Sequence, residues 1–298
     1  LIPCIAECGS VAIKCCQWAL PKLDYLYMSD DQIFDKVEKP RWHKRLEQFL
    51  EDCPRHKFSD TQKIYVEEFG EEITDEYVVK DILGSGSIGQ VYLLIHKESG
   101  EKRVLKIQHP GVPQEIDAFE RLCLLMKYMP YLRILFSQIP FRISDFIDSF
   151  REQIDFVKEA NNLLKMKSLH KSKHIVIPEI YRISKRALIM EYVSGETFDE
   201  THLNEYEKGK IFLSLFLFIR NNLICENFNH GDLHQGNWKV HGPMRIAIYD
   251  FGFCWRIPQD KRHLVEIAIN TFEGGIEDRE ECIDVISDLM YGLIYHSQ

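Results

Sequence analysis

The run His230-Gly231-Asp232-Leu233-His234-Gln235-Gly236-Asn237, followed by Asp250-Phe251-Gly252, decides how the rest of the chain is read. It sets two hard-cation oxygen ligands, Asn237 and Asp250, and a further carboxylate, Asp232, on adjacent loops. Ile246-Ala247-Ile248-Tyr249 between them is β-rich, and the 18-residue step from Asp232 to Asp250 fits a short hairpin. In such a pattern Asp250 is placed to chelate a Mg2+ that bridges phosphates, and Asn237 to take a second Mg2+. Asp232 is placed to accept a proton from, or orient, an attacking hydroxyl or water. His230 and His234 come without the partners of a zinc set, and His230 is expected to brace the loop through hydrogen bonds.

Upstream, Gly84-Ser85-Gly86-Ser87-Ile88-Gly89-Gln90-Val91 is a G-x-G-x-x-G-x-V sequence between two β-rich runs, Tyr77-Val78-Val79 and Val91-Tyr92-Leu93-Leu94-Ile95. Glycines let backbone N–H groups close over a polyphosphate with no Cβ in the way. A dinucleotide-binding βαβ unit would need a helix directly after the glycines, and a strand follows instead. The loop therefore reads as a phosphate-covering hairpin, with Gly84, Ser85, Gly86, Ser87, Gly89 and Val91 on the nucleotide. Fifteen residues beyond Val91, Lys106 sits inside Val104-Leu105-Lys106-Ile107. A lysine in a buried strand needs an anion, and the α/β-phosphates of ATP supply one. Met190-Glu191-Tyr192-Val193, leading to Gly195, reads as the hinge strand that meets adenine through the Glu191 carbonyl and the Val193 N–H.

The chain has 298 residues, 45% apolar and 28% charged, which excludes a short disulfide scaffold and a disordered chain. Its formal charge of -9 disfavours a nucleic-acid partner. Nine cysteines with no C-x-x-C pair read as reduced thiols in an intracellular compartment. The longest apolar run, Ile211 to Ile219, is about half a bilayer span. The sequence opens on Leu1 and stops at Gln298, which reads as a fragment of something longer, so no targeting signal is inferred. Residues 1–76 read as a helical extension, with Trp42, Leu46, Phe49 and Leu50 at helix spacing. Residues 77–194 read as a sheet-based lobe with a helical insertion broken by Pro130 and Pro140. Residues 195–298 read as a helical lobe, with helices near 203–226 and 261–295 around a loop-rich stretch at 228–258. The expected fold class is α+β, a protein-kinase-like two-lobe fold with an N-terminal helical extension.

Together these residues resemble the protein-kinase-like superfamily. His-Gly-Asp-Leu-His-x-Gly-Asn, with Gly231 where ordinary protein kinases carry arginine, is shared by small-molecule kinases of the aminoglycoside and choline type and by the UbiB family, also called aarF-domain or ADCK kinases. Lys106-Ile107-Gln108-His109-Pro110-Gly111-Val112, the Ser87–Val91 stretch, Gln153-Ile154-Asp155-Phe156 and Glu159-Ala160-Asn161-Asn162 resemble UbiB hallmarks. The resemblance implies that Glu159 pairs with Lys106 as the helix-αC glutamate, the intervening helices being a family insertion. Glu115 is a rival, expected to fall too soon after Gly111 and Pro113 to lie in a formed helix. The resemblance also matches Lys14-Cys15-Cys16-Gln17 to a K-x-G-Q element whose helix lies across the active site, its Lys and Gln facing the E-x-D acids. Here Cys16 replaces the glycine and Gln153 the first acid, leaving Asp155 for Lys14 to pair with. The family usually has alanines where Gly84, Ser85 and Gly86 stand, and the extra glycines are expected to loosen the loop.

The implied activity is that of an atypical kinase or ATPase using ATP and Mg2+ in support of ubiquinone or other isoprenoid lipid metabolism. The implied setting is peripheral to a membrane, in mitochondria, plastids or bacteria, with a lipid or quinone-precursor small molecule as partner. No long activation segment and no Ala-Pro-Glu anchor follow Gly252, which argues against a peptide acceptor. A small-molecule kinase and a non-catalytic ATP-sensing scaffold are the competing readings.

Overall fold

The computed structural model describes residues 5, 7–17, 53–128, 143–263 and 265. Helix α1 (Phe58–Phe69) and the single turn α2 (Ile73–Glu76) lead into a meander of β1 (Tyr77–Ser85), β2 (Gly89–His96) and β3 (Lys102–Gln108). The period-2 pleat puts Leu105 and Ile107 on the buried face of β3 and turns Lys106 to the other. Leu105 and Ile107 pack with Tyr92 and Leu94 of β2, and with Ile64, Tyr65 and Ile73 of the two preceding helices. After the helices α3 (Val112–Lys127), α4 (Ile143–Gln153) and α5 (Phe156–Leu169) come the short strands β4 (Ile175–Val176), β5 (Ile180–Ile183) and β6 (Ala187–Glu191). The sheet closes in the order β1-β2-β3-β6-β5.

The second lobe begins with α6 (Glu205–Arg220), opened by a capping box of Asn204 and Glu207 and continued as a π-helical turn over Asn221–Glu226. The stretch expected to be loop-rich around one hairpin contains four short strands, β7 (Asn229–His230), β8 (Trp238–Gly242), β9 (Arg245–Ile248) and β10 (Cys254–Trp255), of which β8 and β9 form the hairpin expected between Asp232 and Asp250. Strands of two to five residues are too short for alternation to show in sequence. Leu163 and Met166 of α5, Ile211 and Phe218 of α6, and Trp238, Val240, Ile246, Ile248 and Phe251 form the core of this lobe. Helix α5 thus joins the lobes, since its Phe156 and Ala160 pack against Leu188 and Met190 of the first sheet.

Mixed sheets and helices in this order give the expected α+β kinase-like fold. Glu115 departs from expectation: it lies in the first turn of α3, which starts at Val112. Gly111, at φ +84°, turns the chain before the helix, and Pro113 is tolerated because first-turn N–H groups have no intrahelical acceptor. The Glu115 carboxylate accepts from Val11 N at 3.3 Å, at the start of the helical residues 10–17. The expected helix around Trp42 to Leu50, Pro130 and Pro140, and nearly all of the helix expected over 261–295 lie outside the described residues. Among the described residues no helix is long and apolar enough to cross a membrane.

Candidate active site

Register brings the first half of the site together. Val91, on the return arm of the glycine hairpin, pairs directly with Lys106 across β2 and β3, so the loop overhangs the lysine. Lys106 Nζ donates to both Glu159 oxygens at 2.8 Å and to Asp250 Oδ2 at 2.8 Å. Glu159 is 1% exposed, while 39% of the Asp250 side chain remains open. Burial works against the Lys106 ammonium, but Asp250 and Glu159 outweigh it and hold its pKa above the ordinary value. Burial likewise opposes charge on Asp250, yet Lys106 and the Gly252 N–H, 2.8 Å from Oδ1, keep its carboxyl well below the usual range. For Glu159 burial dominates and pushes the carboxyl up, with Lys106 pulling the other way.

The hairpin of β8 and β9 brings the second half. Trp238 pairs with Ile248, so Asn237 and Asp250 leave the same end of one ribbon, and Tyr249 N donates to the Asn237 carbonyl at 3.0 Å. Asn237 Nδ2 donates to the Asp232 carbonyl at 2.8 Å, which leaves its carboxamide oxygen as the group it has to offer. His230 braces the two loops, as expected: its Nε2 donates to the Asp250 carbonyl, and its Nδ1 accepts from Asp232 N at 3.2 Å. Burial lowers its pKa, which keeps the ring neutral and able to do both. His234 Nδ1 accepts from Gly236 N at 3.1 Å, and its Nε2 lies 3.9 Å from Asp232 Oδ1.

Several positioning contacts were not read from the sequence. Asn162, one helical turn beyond Glu159 on α5, donates to the Phe251 carbonyl at 3.0 Å, and this i, i+3 spacing was the available signal. The Tyr249 hydroxyl donates to the Val193 carbonyl at 3.1 Å, fixing the hinge beyond Glu191. Gly231 is required by packing, because a Cβ there would run into the Phe253 ring and come within 3.0 Å of Trp255. Strand β10 follows directly on the Asp250-Phe251-Gly252 turn and pairs with β7, with Gly231 N donating to Phe253 O at 2.8 Å. Gly231→Ala is expected to cost about 1–3 kcal/mol of stability by overpacking; an unchanged denaturation midpoint would show that Phe253 yields freely.

The N-terminal element differs from expectation. Asp155 does not pair with Lys14: its carboxylate caps α5, accepting from Val157 N at 3.0 Å. Lys14 instead feels Asp232 and Asp250, opposed by Lys106, and its pKa is lowered because burial exceeds those attractions. Gln17 accepts from Ser87 Oγ at 3.0 Å, so it meets the glycine-rich loop. That loop is held at successive residues, which counters the expected loosening. Cys53 N donates to Ser85 O at 2.8 Å, His109 holds the Gly86 carbonyl, and Ile88 packs beside Val11 and Cys15.

The model of the ABC1 atypical kinase-like domain family matches residues 48–284. An uncharacterized protein of Mycobacterium tuberculosis is 29% identical over 231 residues, covering 72% of this chain and 47% of that protein. A chloroplastic aarF domain-containing protein kinase of Arabidopsis thaliana is 28% identical over 233 residues, with 73% and 43% covered. AarF domain-containing protein kinase 1 of Xenopus laevis is 29% identical over 209 residues, with 66% and 39% covered. The chain spans less than half the length of these relatives. The erythromycin complex of Rv3197 from Mycobacterium tuberculosis shares the fold, with a TM-score of 0.53 at 17% identity over 90% of this chain and 67% of that one.

Proposed function

The chain belongs to the ABC1 atypical kinase-like family, and from that membership we propose that it binds ATP with Mg2+ beneath the glycine-rich loop and transfers or hydrolyses the terminal phosphoryl group. The observation that carries the reading is Lys106 bridging Glu159 and Asp250 at 2.8 Å. A buried ammonium kept charged and held in place by carboxylates at the rim of a glycine hairpin is a donor positioned for a phosphate oxygen. Mg2+, when bound, neutralises charge developing on the phosphates. Asp250 and the Asn237 carboxamide oxygen fit such an ion, which takes one or two protein oxygens and completes its shell with phosphate and water.

In this reading Lys106 holds the α/β-phosphates, Glu159 orients Lys106, and the Val193 N–H and Glu191 carbonyl take adenine. Asp232 receives the proton of the attacking hydroxyl or water, being the carboxylate on the catalytic loop to which, among the described residues, no lysine is bonded. A small-molecule or lipid acceptor, such as a quinone precursor at an organelle membrane, is favoured over a peptide. The reason is that Cys254 and Trp255 turn straight back onto β7, and Arg262 anchors the segment beyond through the Leu223 and Ile224 carbonyls at 2.9 and 2.8 Å. Two relatives are named as chloroplastic proteins, which supports an organelle setting.

Calorimetric titration with ATP and ADP at millimolar Mg2+, followed by phosphate tracking with and without membrane lipids or phenolic quinone precursors, tests the proposal. No heat at millimolar Mg2+ overturns it; binding without turnover would leave an ATP-sensing scaffold. The glycines add a finer test. Among the described residues an alanine Cβ at Gly84 meets nothing within 4 Å, and at Gly86 only the Gly89 carbonyl at 3.9 Å. Gly84→Ala and Gly86→Ala should therefore keep the wild-type thermal midpoint while shifting ATP and ADP affinities by roughly threefold or more, since any change comes from the nucleotide side of the loop. Equal affinities across the three proteins would show that these glycines do not tune the site.

A further inference from the structure

Behind the glycine-rich loop runs a line of hydrogen bonds for which the nucleotide site has no direct use. His109 Nε2 meets the Gly86 carbonyl at 2.9 Å. A carbonyl only accepts, so His109 carries its proton on Nε2 and, when neutral, offers a lone pair at Nδ1. His56 Nδ1 lies 2.7 Å from that lone pair and therefore donates, which leaves His56 Nε2 to accept from Thr61 Oγ1 at 2.7 Å. Thr61 in turn accepts from the Tyr92 hydroxyl at 2.7 Å, and the Tyr92 oxygen accepts from Gln90 Nε2 at 2.6 Å. Gln90 Oε1 closes the line by accepting the His56 backbone N–H at 3.0 Å. One loop carbonyl thus sets every proton in the line, and Thr61, Tyr92, Gln90 and His109 are all buried.

We propose that His56 and His109 form a strut sharing a single bridging proton that positions the glycine-rich loop over the site, and that a second proton on the pair releases the loop. The effect on nucleotide rests on the function proposed above; the strut itself does not. A second proton on His109 Nδ1 would face the Nδ1 proton of His56 at 2.7 Å, with no acceptor between them. On His56 Nε2 it would turn the Thr61 hydroxyl toward the Tyr92 oxygen, and one of these two buried hydroxyl protons is then left without an acceptor in the line. The charged groups acting on the pair are Asp60 of α1 on His56 and Glu115 of α3 on His109, with the neutral Tyr92 phenol of β2 behind Thr61.

Burial, then the neighbouring His109, lowers His56 to about 4 against the pull of Asp60. Burial also lowers His109, against its bond to Gly86 and the pull of Glu115. Opening exposes both rings and returns them toward the ordinary value of about 6.5, so the open loop binds more protons. The closed loop is fully favoured above about pH 6.5 and loses ground as pH falls toward about 4, by roughly thirtyfold at about pH 5 through His56 alone.

Hydrogen–deuterium exchange of residues 84–91, without nucleotide, reads the loop directly. His109→Gln is the informative variant: its Nε2 can donate to Gly86, its Oε1 can accept from His56, and it does not titrate. Wild type should lose more protection between about pH 7.5 and about pH 5 than His109→Gln does at the same pH values, the variant's remaining loss being that of His56. Superimposable profiles overturn the proposal. If the variant does not fold, imidazole 15N shifts of wild type decide. Near pH 7.5, His109 should be protonated at Nε2 and His56 at Nδ1; the same tautomer on both rings, or a cationic ring near pH 6, overturns it. Adding Mg2+–ATP to the same samples separates the two proposals: divergent profiles without nucleotide binding sink the function and keep the strut, and binding with superimposable profiles does the reverse.

Discussion

Asp250→Asn should lose Mg2+-dependent nucleotide affinity by a factor on the order of 10², the upper range seen when metal-site carboxylates or their supports are altered. The substitution is conservative where it needs to be, since an amide oxygen can still accept the Gly252 N–H that Asp250 Oδ1 accepts at 2.8 Å. What changes is the oxygen facing Lys106. An amide NH2 at the Oδ2 position would point donors at the ammonium that now donates to it at 2.8 Å. The variant therefore removes the anionic metal ligand and half of the pairing that holds Lys106. Glu159 remains on Lys106, so the fold should survive and Mg2+-free affinity should stay near wild type. Isothermal titration with and without Mg2+ separates these effects, and equal Mg2+-dependent affinities in both proteins would remove Asp250 from the metal site.

Asp232→Asn should bind nucleotide normally and turn over about 10²-fold more slowly, the scale of a positioned base. Its backbone is held at both ends, with its N–H donating to His230 Nδ1 at 3.2 Å and its carbonyl accepting from Asn237 Nδ2 at 2.8 Å. The side chain can thus be changed without moving the loop, and a slower rate reports proton handling. Single-turnover kinetics beside a binding measurement make the distinction, because a displaced loop would weaken binding as well. A wild-type rate in this variant would leave Asp232 without a part in the chemistry.

The fold was legible where burial writes a period into the sequence. Leu105 and Ile107 alternate with Lys106 because β3 has one buried face, and the glycines between two β-rich runs left little choice but a hairpin. The approach of Glu159 to Lys106 followed from family resemblance rather than from any local pattern, the two lying on different elements. Contacts between distant segments were the part not legible. Whether Lys14 meets Asp155 depends on where the fold carries the lysine, which is toward Asp232 and Asp250 rather than toward the α5 cap. Pro113 argues in sequence against a formed helix at Glu115, although a helix's first turn is where proline costs least. The His56–His109 pair leaves no trace in the sequence, because the two rings sit 53 residues apart and nothing in either neighbourhood marks them as partners.

The β8–β9 ribbon also suggests where the molecule can be handled. Asn237 and Asp250 leave the end where Trp238 faces Ile248, while the bend, with Gly242 at φ +147° and Met244 at φ +57°, lies at the opposite end. Strand spacing rather than loop length then fixes the distance between the two side chains. A fluorophore or a short peptide tag grafted at residue 243 would ride on the protein while leaving the oxygen pair undisturbed, giving a reporter placed one ribbon-length from the reaction it observes.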